Sequence, residues 1–218
     1  YITKDEPFGP INSGDIDSSD PKALLMLFDK HNWIYKNLRS RPSIIIGRRG
    51  SGKTHYLRSV FFDNQYDYYV EIRTPHALGQ VASAIEQMSS EVLFSEMVSE
   101  LWDTILWIAV FLQVHKLRIL PENEMSVIVR YLHKVGVRAS DTVDEVFRKI
   151  SEMLGEIAGP ESKRAGPSWL EDKISLEDAK TIVLNRLKGS GKSFAILMDS
   201  LDDFRLDVRS VERALQGL

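Results

Sequence analysis

The chain has 218 residues, 43% of them hydrophobic, and a formal net charge of −3 at pH 7. This length and hydrophobic content predict one substantial domain with a buried core, and the slightly acidic balance gives no general case for nucleic-acid binding. Because the chain has no cysteine, disulfides, iron–sulfur clusters and thiolate zinc sites are excluded, and we expect a cytoplasmic protein.

Residues 1–40 are predicted to form an arm followed by a helix. The arm, residues 1–20, is rich in glycine, proline, serine and aspartate. Asp20 and Pro21 are residue types that prefer the N-cap and the first turn of a helix. We expect this helix to end near Arg41, where the chain enters residues 41–75, the first part of an α/β core.

A glycine-rich stretch in this core matches the phosphate-binding pattern G-x-x-x-x-G-K-[ST], the Walker A motif, at every fixed position. Isoleucines at 44–46 precede it as a predicted buried strand, and Leu57, Val60 and Phe61 follow it with helical spacing. Strand, glycine loop and helix are the context in which this pattern binds phosphate. The predicted nucleotide-binding residues are Gly47, Arg48, Arg49, Gly50, Ser51, Gly52, Lys53 and Thr54.

Each residue type in this loop has a chemical role in binding phosphate. Its glycines let backbone N–H groups approach a phosphate, and the start of the helix adds unpaired donors and the positive end of a dipole. Lys53 is expected to compensate the charge of the β- and γ-phosphates of ATP, and the Thr54 hydroxyl to bind Mg²⁺. Arg48 and Arg49 occupy variable positions, where solvated charge is favoured over a contact with a neighbouring subunit or partner.

Residues 68–73 are the second predicted strand, and residues 76–190 have helical spacing almost throughout. The predicted helices are 77–88, 90–116, 122–135, 141–157 and 176–187. Since one helix suffices to connect two parallel strands, we interpret 76–190 as a helical insertion. Its most apolar part, 104–114, is too short to span a membrane and is predicted to be a core helix. The insertion has two interpretations. It only enlarges the domain, or it provides a surface for an oligomer or a protein partner.

Residues 189–193, Gly-Ser-Gly-Lys-Ser, look like a second phosphate loop but are predicted to be a turn. Arg186 stands where the pattern needs its first glycine, a helical segment precedes the stretch, and a strand follows it. We interpret Gly189 as the residue just past the end of the helix. No second nucleotide site is therefore predicted.

Residues 191–218 are predicted to hold the Walker B strand and a following helix, with the sheet continuing beyond the chain given. An apolar run at 194–198 leads into Asp199, and the carboxyl end of a buried parallel strand is where α/β sheets bind ligands. Asp199 is predicted to hold Mg²⁺ through water, and Asp202 or Asp203 to orient the attacking water. With Lys53, these two aspartates are the predicted catalytic residues.

Residues 47–54 and 194–203 together resemble the P-loop ATPases of the STAND group, especially the NACHT type, and more loosely the AAA+ ATPases. In the NACHT pattern the strand aspartate is followed by a small residue, an apolar residue and acids, as Asp199 is here. Ser200 stands where ordinary AAA+ and ABC ATPases have glutamate. The resemblance covers about twenty residues. It implies a nucleotide-gated switch in innate immunity, which in prokaryotes includes defence against phage.

These observations predict an ATP-binding, Mg²⁺-dependent ATPase module that switches an assembly state. No arginine after Asp203 is an obvious contact for the γ-phosphate, so we expect a homo-oligomer in which a second subunit supplies one. The alternatives are a P-loop kinase with a small acceptor, a scaffold that keeps its nucleotide without hydrolysis, and a DNA-loading ATPase.

Overall fold

The computed structural model describes residues 53, 57, 66–73, 91–157 and 173–199. The chain divides into two compact units, Tyr1–Asp67 and Tyr68–Leu218. In the first unit Lys53 and Leu57 are helical, at positions where the sequence predicts a helix after the glycine loop. The described elements of the second unit are β1 Tyr68–Arg73, α1 Glu91–Lys116, α2 Glu122–Lys134, α3 Val143–Ile157, α4 Lys173–Ser190 and β2 Phe194–Asp199.

The two strands β1 and β2 pair in parallel, although α1 to α4 lie between them along the chain. The register places Val70 opposite Ile196. At the amino end of the ladder the Tyr68 N–H donates a hydrogen bond to the Ser193 carbonyl at 3.0 Å. Both strands have the bounds that the sequence predicts, and their parallel pairing is the arrangement that a helical crossover permits. The predicted strand at 44–46 lies outside the described residues.

One face of this sheet packs on the helices. Val70 and Ile72 are 5% and 0% exposed and belong to the hydrophobic core, and α1 and α3 both contact β1. Tyr69, on the opposite face of β1, is 39% exposed. Side chains of a strand alternate between the two faces of the sheet. The helical insertion is therefore packed on one face of the strand pair.

Helix α1 lies at the centre of the helical part, in contact with β1, α2 and α3. Its residues Ile108, Phe111 and Val114 are fully buried. This confirms the predicted core helix, and its apolar composition follows from contact with neighbours on several sides. Among the helices that the structure describes, none is both long enough and apolar enough to cross a bilayer.

Aromatic contacts join α1 to the two helices that follow it. The ring of Phe111 in α1 meets Tyr131 of α2 edge-on with centroids 5.7 Å apart. Trp102 of α1 meets Phe147 of α3 in a similar geometry at 6.4 Å. All four residues are buried. Large aromatic side chains contribute much of the burial energy of a core, and edge-on pairs add to it.

The amino end of α3 differs from the prediction, which began this helix at Asp141. The helix begins at Val143, and Thr142 caps it: the Thr142 N–H donates to Glu145 Oε2 at 2.6 Å, and the Glu145 N–H donates to Thr142 Oγ1 at 3.3 Å. This reciprocal arrangement is a capping box. Asp141 instead accepts hydrogen bonds from the Arg138 N–H and from Lys149 Nζ. Burial opposes its ionisation, but these bonds outweigh burial and hold the pKa of Asp141 below its ordinary value.

The other predicted helices within the described residues are found with small shifts at their ends. Both ends of α1 and of α2 lie within one residue of the predicted bounds. Helix α4 extends by about a turn beyond the predicted segment 176–187 at each end. The predicted helix 77–88 lies outside the described residues. Helix ends depend on cap hydrogen bonds that periodicity alone does not reveal.

Candidate functional site

The candidate site is the carboxyl edge of the strand pair. Asp199 is the last residue of β2, and its register partner Arg73 is the last residue of β1. Adjacent strands of a sheet lie about 4.8 Å apart. The two residues therefore occupy neighbouring backbone positions at the edge where α/β sheets bind ligands.

A short, fixed connection leads from α4 into β2 and so determines where β2 begins. The Gly191 N–H donates to the Lys188 carbonyl at 3.1 Å, and the Lys192 N–H donates to the Leu187 carbonyl at 2.9 Å. Gly191 has φ +63°. These two bonds and the left-handed glycine form a Schellman motif, which satisfies the last carbonyls of a helix.

This geometry corrects one prediction and agrees with another. The helix-ending glycine is Gly191 and not Gly189, which is still within α4. The stretch 189–193 does end a helix and lead into a strand, as the sequence predicts. The Lys192 ammonium lies 6.0 Å from the centroid of the Tyr68 ring on β1. Residues 189–193 thus have a structural role in the second unit, where they connect α4 to β2.

The structure places two of the predicted site residues. Lys53 is helical and half-buried in the first unit, and Asp199 ends β2 in the second unit. The remaining predicted site residues lie outside the described part of the chain: Gly47, Arg48, Arg49, Gly50, Ser51, Gly52, Thr54, Asp202 and Asp203. Their roles stay predictions.

The residue type at the end of β2 fits the expected metal. Mg²⁺ prefers oxygen ligands and is usually held by one or two carboxylates together with substrate phosphates and water. Asp199 can supply one such oxygen. Within the described ranges no group of three or more histidine, aspartate or glutamate residues could hold a metal ion.

A second polar cluster joins α4 to α1. The ammonium of Lys180, a residue 8% exposed, donates to Asp103 Oδ2 at 2.5 Å and to Glu177 Oε1 at 2.7 Å. The same nitrogen lies 5.7 Å from the centre of the Trp107 ring. Burial favours the neutral amine, but the bonds to the two carboxylates outweigh burial and raise the pKa of Lys180 above its ordinary value. The two carboxylate bonds make this cation a structural contact between α4 and α1.

Sequence reasoning did not bring the end of β1, at Arg73, next to Asp199. It predicted the strand that ends there but did not relate that end to Asp199, because the two lie far apart along the chain. The available signal was that parallel strands have their carboxyl ends at the same edge of a sheet.

Comparison with known proteins adds no assignment: no family model, no curated protein and no solved structure matches this chain.

Proposed function

We propose that the chain is an ATP-binding and Mg²⁺-dependent ATP-hydrolysing P-loop module of the STAND and AAA+ related class. It works as a nucleotide-dependent switch or assembly motor, and its biological setting is prokaryotic antiviral defence. The class and the setting follow the resemblance carried by residues 47–54 and 194–203.

The position of Asp199 is the observation that carries the proposal. An acidic residue ends an apolar strand, and that strand pairs in parallel with a second strand whose carboxyl end lies at the same edge. Ligands of α/β sheets bind at this edge. The helical state of Lys53 supports the same reading, because a phosphate-binding loop runs into the start of a helix.

The site residues have separate roles in this proposal. Lys53 and the loop amides bind the β- and γ-phosphates, and Thr54 and Asp199 hold Mg²⁺. Bound Mg²⁺ neutralises charge on the phosphate oxygens. Asp202 or Asp203 orients the attacking water; Asp202, nearer to the end of β2, is the preferred candidate of the two. An arginine from a second copy of the chain completes the site and couples hydrolysis to assembly.

Release of inorganic phosphate from ATP, measured with Mg²⁺ and without any added acceptor, tests this function. Steady release that requires Mg²⁺ supports water as the acceptor. Release only after a small hydroxyl compound is added favours a kinase. Tight nucleotide binding without turnover favours a scaffold, and stimulation by duplex DNA favours a DNA-loading ATPase. A chain that binds no nucleotide contradicts the proposal.

A further inference from the structure

The two strands are buried unequally on the sheet face that packs on the helices. Val70 and Ile72 of β1 are 5% and 0% exposed, and α1 and α3 contact this strand. Their register partners on β2 are Ile196 and Met198, and register partners in a parallel pair belong to the same face of the sheet. Ile196 is nevertheless 39% exposed. The helices thus bury β1 and leave the middle of β2 accessible.

This accessible surface is apolar. It is formed by Phe194 and Met198, which are half-buried against the core, and by Ile196 between them; we call it the β2 face. The neighbours Ala195 and Leu197 make β2 apolar on its other face as well. Such a composition is typical of a parallel strand that is covered on both faces, and covering an apolar side chain stabilises a fold. A further element is therefore expected to lie on the β2 face.

The chain segment that follows β2 has the length and the pattern to do so. Residues 207–216 are a predicted helix and lie outside the described residues. A helix of this length is about 15 Å long, against about 20 Å for a strand of six residues such as β2. The connection at 200–206 reaches about 25 Å at most, enough to turn the helix back along β2. Val208, Val211 and Leu215 have the spacing that forms one apolar face of a helix.

The predicted helix 77–88, also outside the described residues, is the competing segment. It lies between β1, which ends at Arg73, and α1, which begins at Glu91 and contacts β1. Consecutive elements of a chain are usually neighbours in space. This rule brings 77–88 to β1 and its helices, and it brings 207–216 to β2.

We propose that the β2 face is the docking surface for residues 207–216 of the same chain, with Val211 packed on Ile196. Docking holds both ends of the connection at 200–206, because one end continues β2 and the other enters the docked helix. The connection contains Asp202 and Asp203. Docking thereby positions these acids at the carboxyl edge of the sheet. This second part rests on the proposed function, whereas the docking itself does not.

The chain has no cysteine, so pairs of introduced cysteines can be linked without background. In Ile196→Cys with Val211→Cys, a short bifunctional maleimide should link the two positions within one chain, as peptide mass spectrometry shows. Ile196→Cys with Arg213→Cys is the matched control: residue 213 belongs to the opposite side of the predicted helix and should link much more slowly. Ile196→Cys with Ile85→Cys tests the competing segment.

Each linking result decides the docking. Equal linking at positions 211 and 213, a link to position 85 in place of 211, or links between two chains would each overturn it. If the cysteine variants do not fold, urea denaturation of Ile196→Ala, Val211→Ala and the double variant replaces them. Contacting side chains should give non-additive losses of stability, and additive losses would overturn the docking.

ATP hydrolysis tests the positioning of the acids. Val211→Asp places a charge in the docked face and should lower the rate of hydrolysis by up to about 10²-fold, the effect of a small displacement of catalytic groups. Its affinity for ATP should be unchanged, and Val211→Ile should behave like the wild type. An unchanged rate in Val211→Asp overturns the positioning and leaves the docking. A wild-type chain that links at 196 and 211 but binds no ATP contradicts the proposed function alone.

Discussion

Lys180 of α4 donates a hydrogen bond to Asp103 of α1 at 2.5 Å, although the two residues are 77 positions apart in the chain. Among the helices that the structure describes between β1 and β2, this bond joins the first and the last. Because α4 leads directly into β2 through the turn at Gly191, the contact also helps to determine the position of the strand that ends at Asp199.

Replacing Lys180 should destabilise the fold modestly. Lys180→Met keeps the length of the side chain but loses both charged hydrogen bonds, and we expect a loss of about 1–2 kcal/mol in the free energy of unfolding. The cost is limited because the side chains of Asp103 and Glu177 are 50% and 64% exposed and can be solvated. Urea denaturation measures it, with exposed Lys188→Met on the same helix as a control that should change little.

The difference between wild type and Lys180→Met should depend on pH in one direction. Since the folded state raises the pKa of Lys180, its contribution is fully present below the ordinary value of 10.5 and is lost as pH rises through the folded-state pKa. Unfolding curves between neutral pH and the alkaline limit of the fold test this. A difference that grows with rising pH would contradict the assigned hydrogen bonds.

The two glycines at the end of α4 should respond to alanine with opposite signs. Neither has an atom within 4 Å of an added Cβ, so packing does not decide the outcome. Gly191 has φ +63°, and Gly191→Ala should cost about 1 kcal/mol of backbone strain. Gly189 lies in the helix, and Gly189→Ala should stabilise by about 0.5 kcal/mol. Thermal unfolding of both variants decides, and the same sign for both would contradict the turn geometry.

Lys53→Ala should remove most of the affinity for ATP and leave the fold intact, because the lysine compensates phosphate charge. Calorimetric ATP binding beside circular dichroism measures both effects. Lys192→Ala is a matched control, since Lys192 follows the same Gly-Ser-Gly tripeptide and is predicted not to bind nucleotide. If the two variants bind ATP equally well, the phosphate-loop assignment is wrong.

Asp199→Ala should abolish the tightening of ATP binding by Mg²⁺ and retain some metal-free binding, because Asp199 is the proposed metal carboxylate. Titrations with Mg²⁺ and with a chelator measure the two affinities. Equal losses under the two conditions would show that Asp199 has a different role.

Assembly should depend on the nucleotide. Light scattering with and without a non-hydrolysable ATP analogue should show a larger particle with the analogue, because the proposed site is completed by an arginine from a second copy of the chain. An arginine supplied in this way can raise hydrolysis about 10³-fold or more. Particles of monomer size under both conditions, with hydrolysis per chain independent of protein concentration, would refute this.

The elements of this protein were easier to predict than their ends and partners. The strand at 68–73 is rich in aromatic and β-branched residues, the strand at 194–199 is an apolar run that ends in Asp199, and α1 shows a long apolar pattern, so local composition was enough. The predicted start of α3, near Asp141, was wrong by two residues. Asp141 and Thr142 are both good N-cap residue types, and the reciprocal bonds between Thr142 and Glu145 decide which of them caps the helix.

The composition of the site depends on information that is not local. Gly189 and Gly191 are equally good helix stops by type, and the hydrogen bonds of the final turn select the second. The pairing of Arg73 with Asp199 follows from strand register, which is set by the packing of one sheet face on the helices. Neither is a property of any short segment.

The separation of the two paired strands also affects how the chain folds. Residues 74–193 lie between β1 and β2, so the strand pair forms only after a long loop has closed, whereas each helix can form from neighbouring residues. During synthesis, at about 5–20 residues per second, β1 waits roughly 6–25 s for its partner to emerge. Until then its hydrogen-bonding edge is without β2. The nascent chain therefore passes through a stage at which that edge can pair with other chains.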